Sequence, residues 1–329
     1  MVMKLSRQSW RTSLCLAVAT WAACTASTAA WAQSYPAKPI KFITNFPAGG
    51  PADYLARTVG EAITTQYKQP VVVENKPGAG GNIGADFVAK SPADGYTVLF
   101  GIDTTFTVNP YIYKNMAFKV SDLRPIMVMV SSGLLVGAHP GTGFKNLKDL
   151  IAQGKTKSLN FSSAGSGSPG HLATEIFMDA ANIKIQHVPY KGNTPAVTAV
   201  LAGEVDAGAL ATPGMLPHVK TGKITALAVT SRQRSRSATD IPTVAELGLK
   251  DLELEVLYIA MVPAATPEPV VQLLQKSFTD ALKRPDTQAQ LASMDLFYEG
   301  MTGQDAVKRL SDQSQRYGRV VKSTGMKVE

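Results

Sequence analysis

Asn45-Phe46-Pro47-Ala48-Gly49-Gly50-Pro51-Ala52-Asp53 joins an apolar run, residues 38–45, to a periodic segment that begins at Pro51. The run reads as a strand and the segment as a helix reaching residue 66. Glycines allow a tight turn and leave backbone N–H groups uncovered. A helix start adds unpaired N–H groups and a partial positive charge. Strand, glycine loop and helix start together make an anion site that needs no arginine. The pattern then repeats: residues 71–74 form a short buried strand, Gly78-Ala79-Gly80-Gly81 follows, and a helix covers 83–89 before a third strand at 97–102. This βαβαβ opening predicts α/β architecture, with a parallel sheet and helices on its faces.

A second alternation begins after a mostly apolar stretch at 125–139. A helix at 147–153 and a strand at 158–162 lead into Phe161-Ser162-Ser163-Ala164-Gly165-Ser166-Gly167-Ser168-Pro169-Gly170-His171. The context matches the first loop, and serine hydroxyls add donors that backbone amides lack. Helices at 170–181 and 194–202 alternate with strands at 184–189, 205–210 and 224–230. An apolar stretch at 252–262 ends at Pro263, and helices at 268–282, 287–293 and 304–322 close the chain. In the last of these Val307, Leu310, Tyr317 and Val321 fit one face. Two α/β units in series predict two Rossmann-like lobes joined by crossing strands near 126–138 and 252–262. Residues 33–130 with 257–329 make the first lobe and 131–256 the second. A ligand would sit in the cleft between them, at the carboxyl ends of the strands.

The ends and the composition narrow the class. Lys4, Arg7 and Arg11 precede a short apolar run at 14–23, and Ala30-Trp31-Ala32 offers small residues to a signal peptidase, so residues 1–32 read as a signal peptide cleaved before Gln33. The mature chain is then exported, and its net charge falls from +8 to +5 because the segment holds three cations and no acid. Both cysteines, Cys15 and Cys24, lie in that segment, which leaves no disulfide and no thiolate chemistry. Lipidation at Cys24 fits less well than cleavage after Ala32. The one dense basic tract, Arg232, Arg234 and Arg236, sits among serines without interleaved aromatics and reads as a solvated loop, not a nucleic-acid surface. His139, His187 and His218 are scattered without metal-ligand spacing, so neither a metal nor a cofactor is expected.

Pro47-Ala48-Gly49-Gly50-Pro51-Ala52-Asp53, Asn75-Lys76-Pro77-Gly78-Ala79-Gly80-Gly81, Asp94-Gly95-Tyr96-Thr97, Ser163-Ala164-Gly165, His187-Val188-Pro189-Tyr190-Lys191-Gly192, Ala226-Leu227-Ala228-Val229-Thr230 and Pro242-Thr243-Val244 occur in this order. In order and spacing the chain resembles the Bug family, the extracytoplasmic solute receptors of tripartite tricarboxylate transporters. The resemblance implies a two-lobed type II periplasmic-binding-protein fold, and a periplasmic, monomeric receptor that passes a small carboxylate to integral-membrane transporter subunits. It implies capture by both loops: by Ala48, Gly49, Gly50, Ala52 and Asp53 in the first, and by Ser163, Ala164, Gly165, Ser166 and Ser168 in the second. Thr104 and Thr105 follow the third strand and are expected to face the same cleft. Where many relatives place an Asp-Asn pair, this chain has Leu210 and Ala211, and where relatives often carry Trp it has Leu257. These departures imply a ligand with an apolar or aromatic body behind its carboxylate.

Several residues have two readings. Asp53 either caps its helix and meets the dipole or bonds the ligand or a bridging water. His171, at a helix start, either donates into the cleft or packs. Phe46 either walls the cleft or joins the core. Lys191 is either a cleft cation or part of a turn. Two enzymatic alternatives remain. Gly78-Ala79-Gly80-Gly81-Asn82-Ile83-Gly84 with Asp103 resembles a dinucleotide fingerprint, although its glycine spacing is one residue too long. Ser163, Ser166 and Ser168 could serve a hydrolase, although none lies in Gly-x-Ser-x-Gly.

Overall fold

A computed structural model describes residues 35–327, so the signal-peptide, cleavage and Cys24 readings lie outside the described residues. The described residues from Lys38 onward form one compact unit.

Ten strands are present: β1 (Ile40–Thr44), β2 (Val71–Asn75), β3 (Thr97–Ile102), β4 (Leu123–Ala138), β5 (Leu159–Ser163), β6 (Ile185–Pro189), β7 (Ala207–Ala211), β8 (Thr225–Val229), β9 (Glu255–Pro263) and β10 (Phe297–Thr302). They run in the order β2-β1-β3-β9-β4-β7-β5-β6, with β8 and β10 also pairing β4. β1 is parallel to β2 and β3, as the opening pattern predicts, and β5 is parallel to β6 and β7. β9 is antiparallel to both β3 and β4. β4 spans 16 residues. It pairs β9 as far as Gly133 and β7 from Leu134 onward, so one continuous strand serves both halves of the sheet.

Each half has its own apolar packing. Phe42, Phe100 and Phe278 stack together beneath β1 and β3, with centroids 4.5 and 5.5 Å apart along the row. Ala196, Val200, Leu210, Met215 and Val229 form a buried cluster around β7 and β8. Offset aromatic contacts of this kind add to the area buried.

Most predicted elements appear within two residues of their expected bounds. Unpredicted are β10, the Thr212–Lys220 helix, and the short helical turns Thr104–Thr107 and Asn109–Ile112. One face also needs correction. Val307 is 48% exposed, and the buried face of the Gly303–Thr324 helix is Ala306, Leu310, Gln313, Tyr317 and Val321. A polar residue, Gln313, occupies the position that an apolar count skips.

Candidate functional site

A cavity of about 360 Å3 lies where four helices begin. Gly50 precedes the Pro51–Tyr67 helix, Ser168 the Pro169–Ala181 helix, Gly192 the Asn193–Ala202 helix and Ala211 the Thr212–Lys220 helix, and all four residues line it. Each helix start brings N–H groups without intrahelical acceptors and the positive end of a dipole. Among the described residues, Lys191 is the one ionic side chain on the wall, and no carboxylate lines it. Asn193 and Thr194 add polar side chains, and Phe46, Ile102, Leu134, Leu210 and Val256 make an apolar stretch of the wall. Tyr258 adds a hydroxyl whose burial pushes its pKa up to about 12, so it stays neutral.

Of the sequence candidates, Phe46, Ala48, Gly50, Ala52, Ala164 and Ser168 are on the wall. Gly49, Asp53, Thr104, Thr105, Ser163, Gly165, Ser166 and His171 are not among the lining residues. Most of them hold the loops in shape. Asp53 accepts from Gly49 N at 3.1 Å, from Asn75 Nδ2 at 3.0 Å and from Arg57 through both carboxylate oxygens. Burial opposes its charge, but the Arg57, Asn75 and Gly49 bonds together prevail and hold the carboxyl below its usual range. Asn75 also donates to Thr44 Oγ1 and to the Phe46 carbonyl, which fixes the chain leaving β1. Thr105 donates to the Gly80 carbonyl and accepts from Asn45, and Thr104 is buried.

The second loop is held in a similar way. Ser168 Oγ caps its helix by accepting from His171 N, and His171 Nδ1 accepts from Gly167 N at 3.2 Å. Ser163 Oγ lies 2.6 Å from His187 Nε2 and accepts from Gly165 N. The His171 and His187 rings stack with centroids 3.9 Å apart. Burial, with the adjacent His171, lowers the His187 pKa to about 3. Ser163 and His187 therefore resemble a nucleophile–base pair only in distance. Ser163 has no exposed surface, and an imidazole this weakly basic is poorly matched to proton abstraction near neutrality. The dinucleotide lure also dissolves into packing. Asp103 is fully buried, accepting from Leu257 N and Gln313 Nε2, and the Gly80 carbonyl is held by Thr105 and Asn109.

Strand alternation corrects the reading of Leu257. Val256 and Tyr258 face the cavity, while Leu257 packs on the opposite side with Ile43, Leu99 and Val128. Leu210 and Ala211 do line the wall. Sequence reasoning missed the third and fourth helix starts as parts of the site. Tyr190-Lys191-Gly192 was the available signal for one of them, because Gly192, at φ 117°, is the cap that lets the chain turn there.

These features define a ligand-binding protein of the periplasmic type. The solved structure of the periplasmic binding protein BugD matches with a TM-score of 0.81 and 29% identity, covering 90% of this chain and all of that one. R. palustris Rpa4515, solved with adipate, matches with a TM-score of 0.85 and 28% identity, over 89% and 99% of the two chains. Protein BugT of Bordetella pertussis is 34% identical over 302 residues, 91% of this chain and 93% of that protein. The tripartite tricarboxylate transporter family receptor model matches residues 55–326, and the chain belongs to that family.

Proposed function

We propose that this chain is a periplasmic, monomeric receptor that binds a small carboxylate with an apolar body and delivers it to the membrane subunits of a tripartite transporter. One observation carries the reading: among the described residues, four helix starts and a single lysine surround a cavity with no acid on its wall. The carboxylate meets the N–H groups of Ala48, Gly50 and Ala52 in the first loop and of Gly170 in the second, and its body lies against Ile102, Leu134, Leu210 and Val256. The volume fits a small metabolite. The adipate bound to Rpa4515 is a carboxylate with an unbranched hydrocarbon middle, which accords with this wall. Residues 33–130 with 257–329 act as one lobe and 131–256 as the other, hinged at β4 and β9 and closing on the ligand. The chain acts by binding, without a catalytic step.

Titration calorimetry with alkyl and aryl mono- and dicarboxylates, beside aspartate and glutamate, tests the ligand class. The expected result is tight binding of an alkyl or aryl carboxylate. Tight aspartate or glutamate binding with none of the others would sink the apolar-body reading. Turnover of a nicotinamide cofactor or an aryl ester would overturn the binding role itself, whereas ligand-induced thermal stabilisation without turnover supports it.

A further inference from the structure

The basic tract that the binding role leaves unused lines a second cavity. About 400 Å3 in volume, it lies on the side of the β4–β9 ribbon away from the ligand cleft. Ser131 and Glu255 form its floor, while Val256 and Tyr258, of opposite strand parity to Glu255, face the cleft. Arg232 and Arg236 come from the segment after β8, Phe297, Tyr298 and Glu299 from β10, and Arg309 from the last helix.

The charges do not cancel. Glu255 pairs with Arg309 at 2.8 Å, and Glu299 takes the Ser131 hydroxyl at 2.6 Å. Arg234 turns away to pair with Glu246 at 2.9 Å. Among the described residues, Arg232 and Arg236 have no carboxylate within ion-pair distance of their guanidiniums, although Asp295, which accepts from Arg236 N at 2.9 Å, feels the Arg236 charge. The Arg236 guanidinium instead lies over the Phe297 ring, 4.8 Å from its centroid. Two guanidiniums outside any ion pair, in one concavity whose acids already have partners, are complementary to an oxyanion. Arginine's planar fork matches the oxygens of a phosphate in particular. The volume exceeds that of the anion itself, and Phe297 and Met301 give an organic body an apolar wall.

We propose that this cavity is a second binding site, for a phosphate-class dianion, either free or as a small phosphomonoester. Calorimetry on the purified protein at low ionic strength, with inorganic phosphate in one arm and glycerol 3-phosphate in the other, tests it. The expected result is one saturable site per chain, weakened by added salt. The arm that binds more tightly identifies the free anion or the ester. Arg232→Gln with Arg236→Gln should weaken binding at least tenfold while lowering the anion-free melting temperature only slightly, because both side chains are exposed and the Arg236–Phe297 contact alone is lost. Lys191→Gln, in the ligand cleft, should leave it unchanged. The proposal is overturned if neither probe saturates, if the double variant binds as the parent does, or if Lys191→Gln abolishes binding and so places the anion in the cleft. None of these outcomes depends on which carboxylate the cleft takes.

Discussion

Asp53 shapes the first glycine loop without lining the cavity. It fastens Gly49 N and Asn75 to the start of the first helix, so its removal loosens the loop that presents Ala48 and Gly50. Asp53→Ala is expected to cost about 2 kcal/mol of stability, as loss of charge-assisted hydrogen bonds does, and to weaken ligand binding about tenfold. Denaturant titration and calorimetry read the two effects; unchanged affinity would show that the loop holds itself. His187 makes a separate prediction in pH. An unfolded histidine titrates near its ordinary value of about 6.5, while the folded one stays neutral down to about 3. Between those values the unfolded chain binds the proton, so His187 makes stability fall as pH drops from about 6.5 toward 3. His187→Gln is expected to flatten that part of the stability–pH curve, and equal slopes for parent and variant would refute it. At this scale the sequence was informative about loops and poor about roles. A first-turn Asp is compatible with both capping and ligand contact, and only the Asn75 and Gly49 bonds decide between them. Leu257 was misassigned because one residue of strand phase separates the core face from the cavity face.

Elements with a single period were legible, and elements shaped by tertiary pairing were not. β1, β3 and the Glu268–Leu282 helix carry apolar patterns that identify them locally. β10 contains Glu299 and Gly300 and is only half-buried; its pairing to β4, with an irregularity between Tyr298 and Met301, makes it a strand. The Thr212–Lys220 helix holds Pro213, Gly214 and Pro217, a composition that reads as loop until packing on β4 and β7 fixes it. The junction at which β4 changes partners depends on one buried side chain. Thr230 Oγ1 accepts from Leu134 N at 2.8 Å and donates to the Leu254 carbonyl at 2.7 Å, and its backbone N–H and carbonyl bond the same two residues. Thr230 thus clips β4 to the segment entering β9. Thr230→Val keeps the shape but strands a buried N–H and a buried carbonyl, at an expected cost of about 2–3 kcal/mol. Thr230→Ser should retain most of that. If urea midpoints of the valine and serine variants coincide, the hydroxyl contributes nothing and the clip is purely a backbone one.

For the whole molecule, the two halves touch across the cavity as well as along β4. A Cβ at Gly167 would fall 2.8 Å from Asn109 Oδ1 and 3.0 Å from Ile112 Cδ1, and one at Gly192 would fall 3.3 Å from Pro47 Cγ. These approaches bring the second half's loops against the first half's. If the halves hinge at β4 and β9, an open form separates these pairs, and a methyl group at Gly167 penalises the closed form beyond its local backbone cost. That local cost is about 1–2 kcal/mol, because φ is +80° at this residue. Gly165→Ala is the control: its φ is +127°, but the nearest atom to its Cβ, the Tyr190 carbonyl oxygen at 3.2 Å, belongs to the same half. Both variants should lower the ligand-free melting temperature. Only Gly167→Ala should also prevent the ligand from reducing the radius of gyration in solution scattering, with affinity about tenfold weaker, since binding must then offset the crowding that closure creates. The parent protein should contract on adding ligand. Equal radii with and without ligand in the parent would mean that the two halves are held rigidly by β4 and β9 and that the ligand enters a preformed cavity.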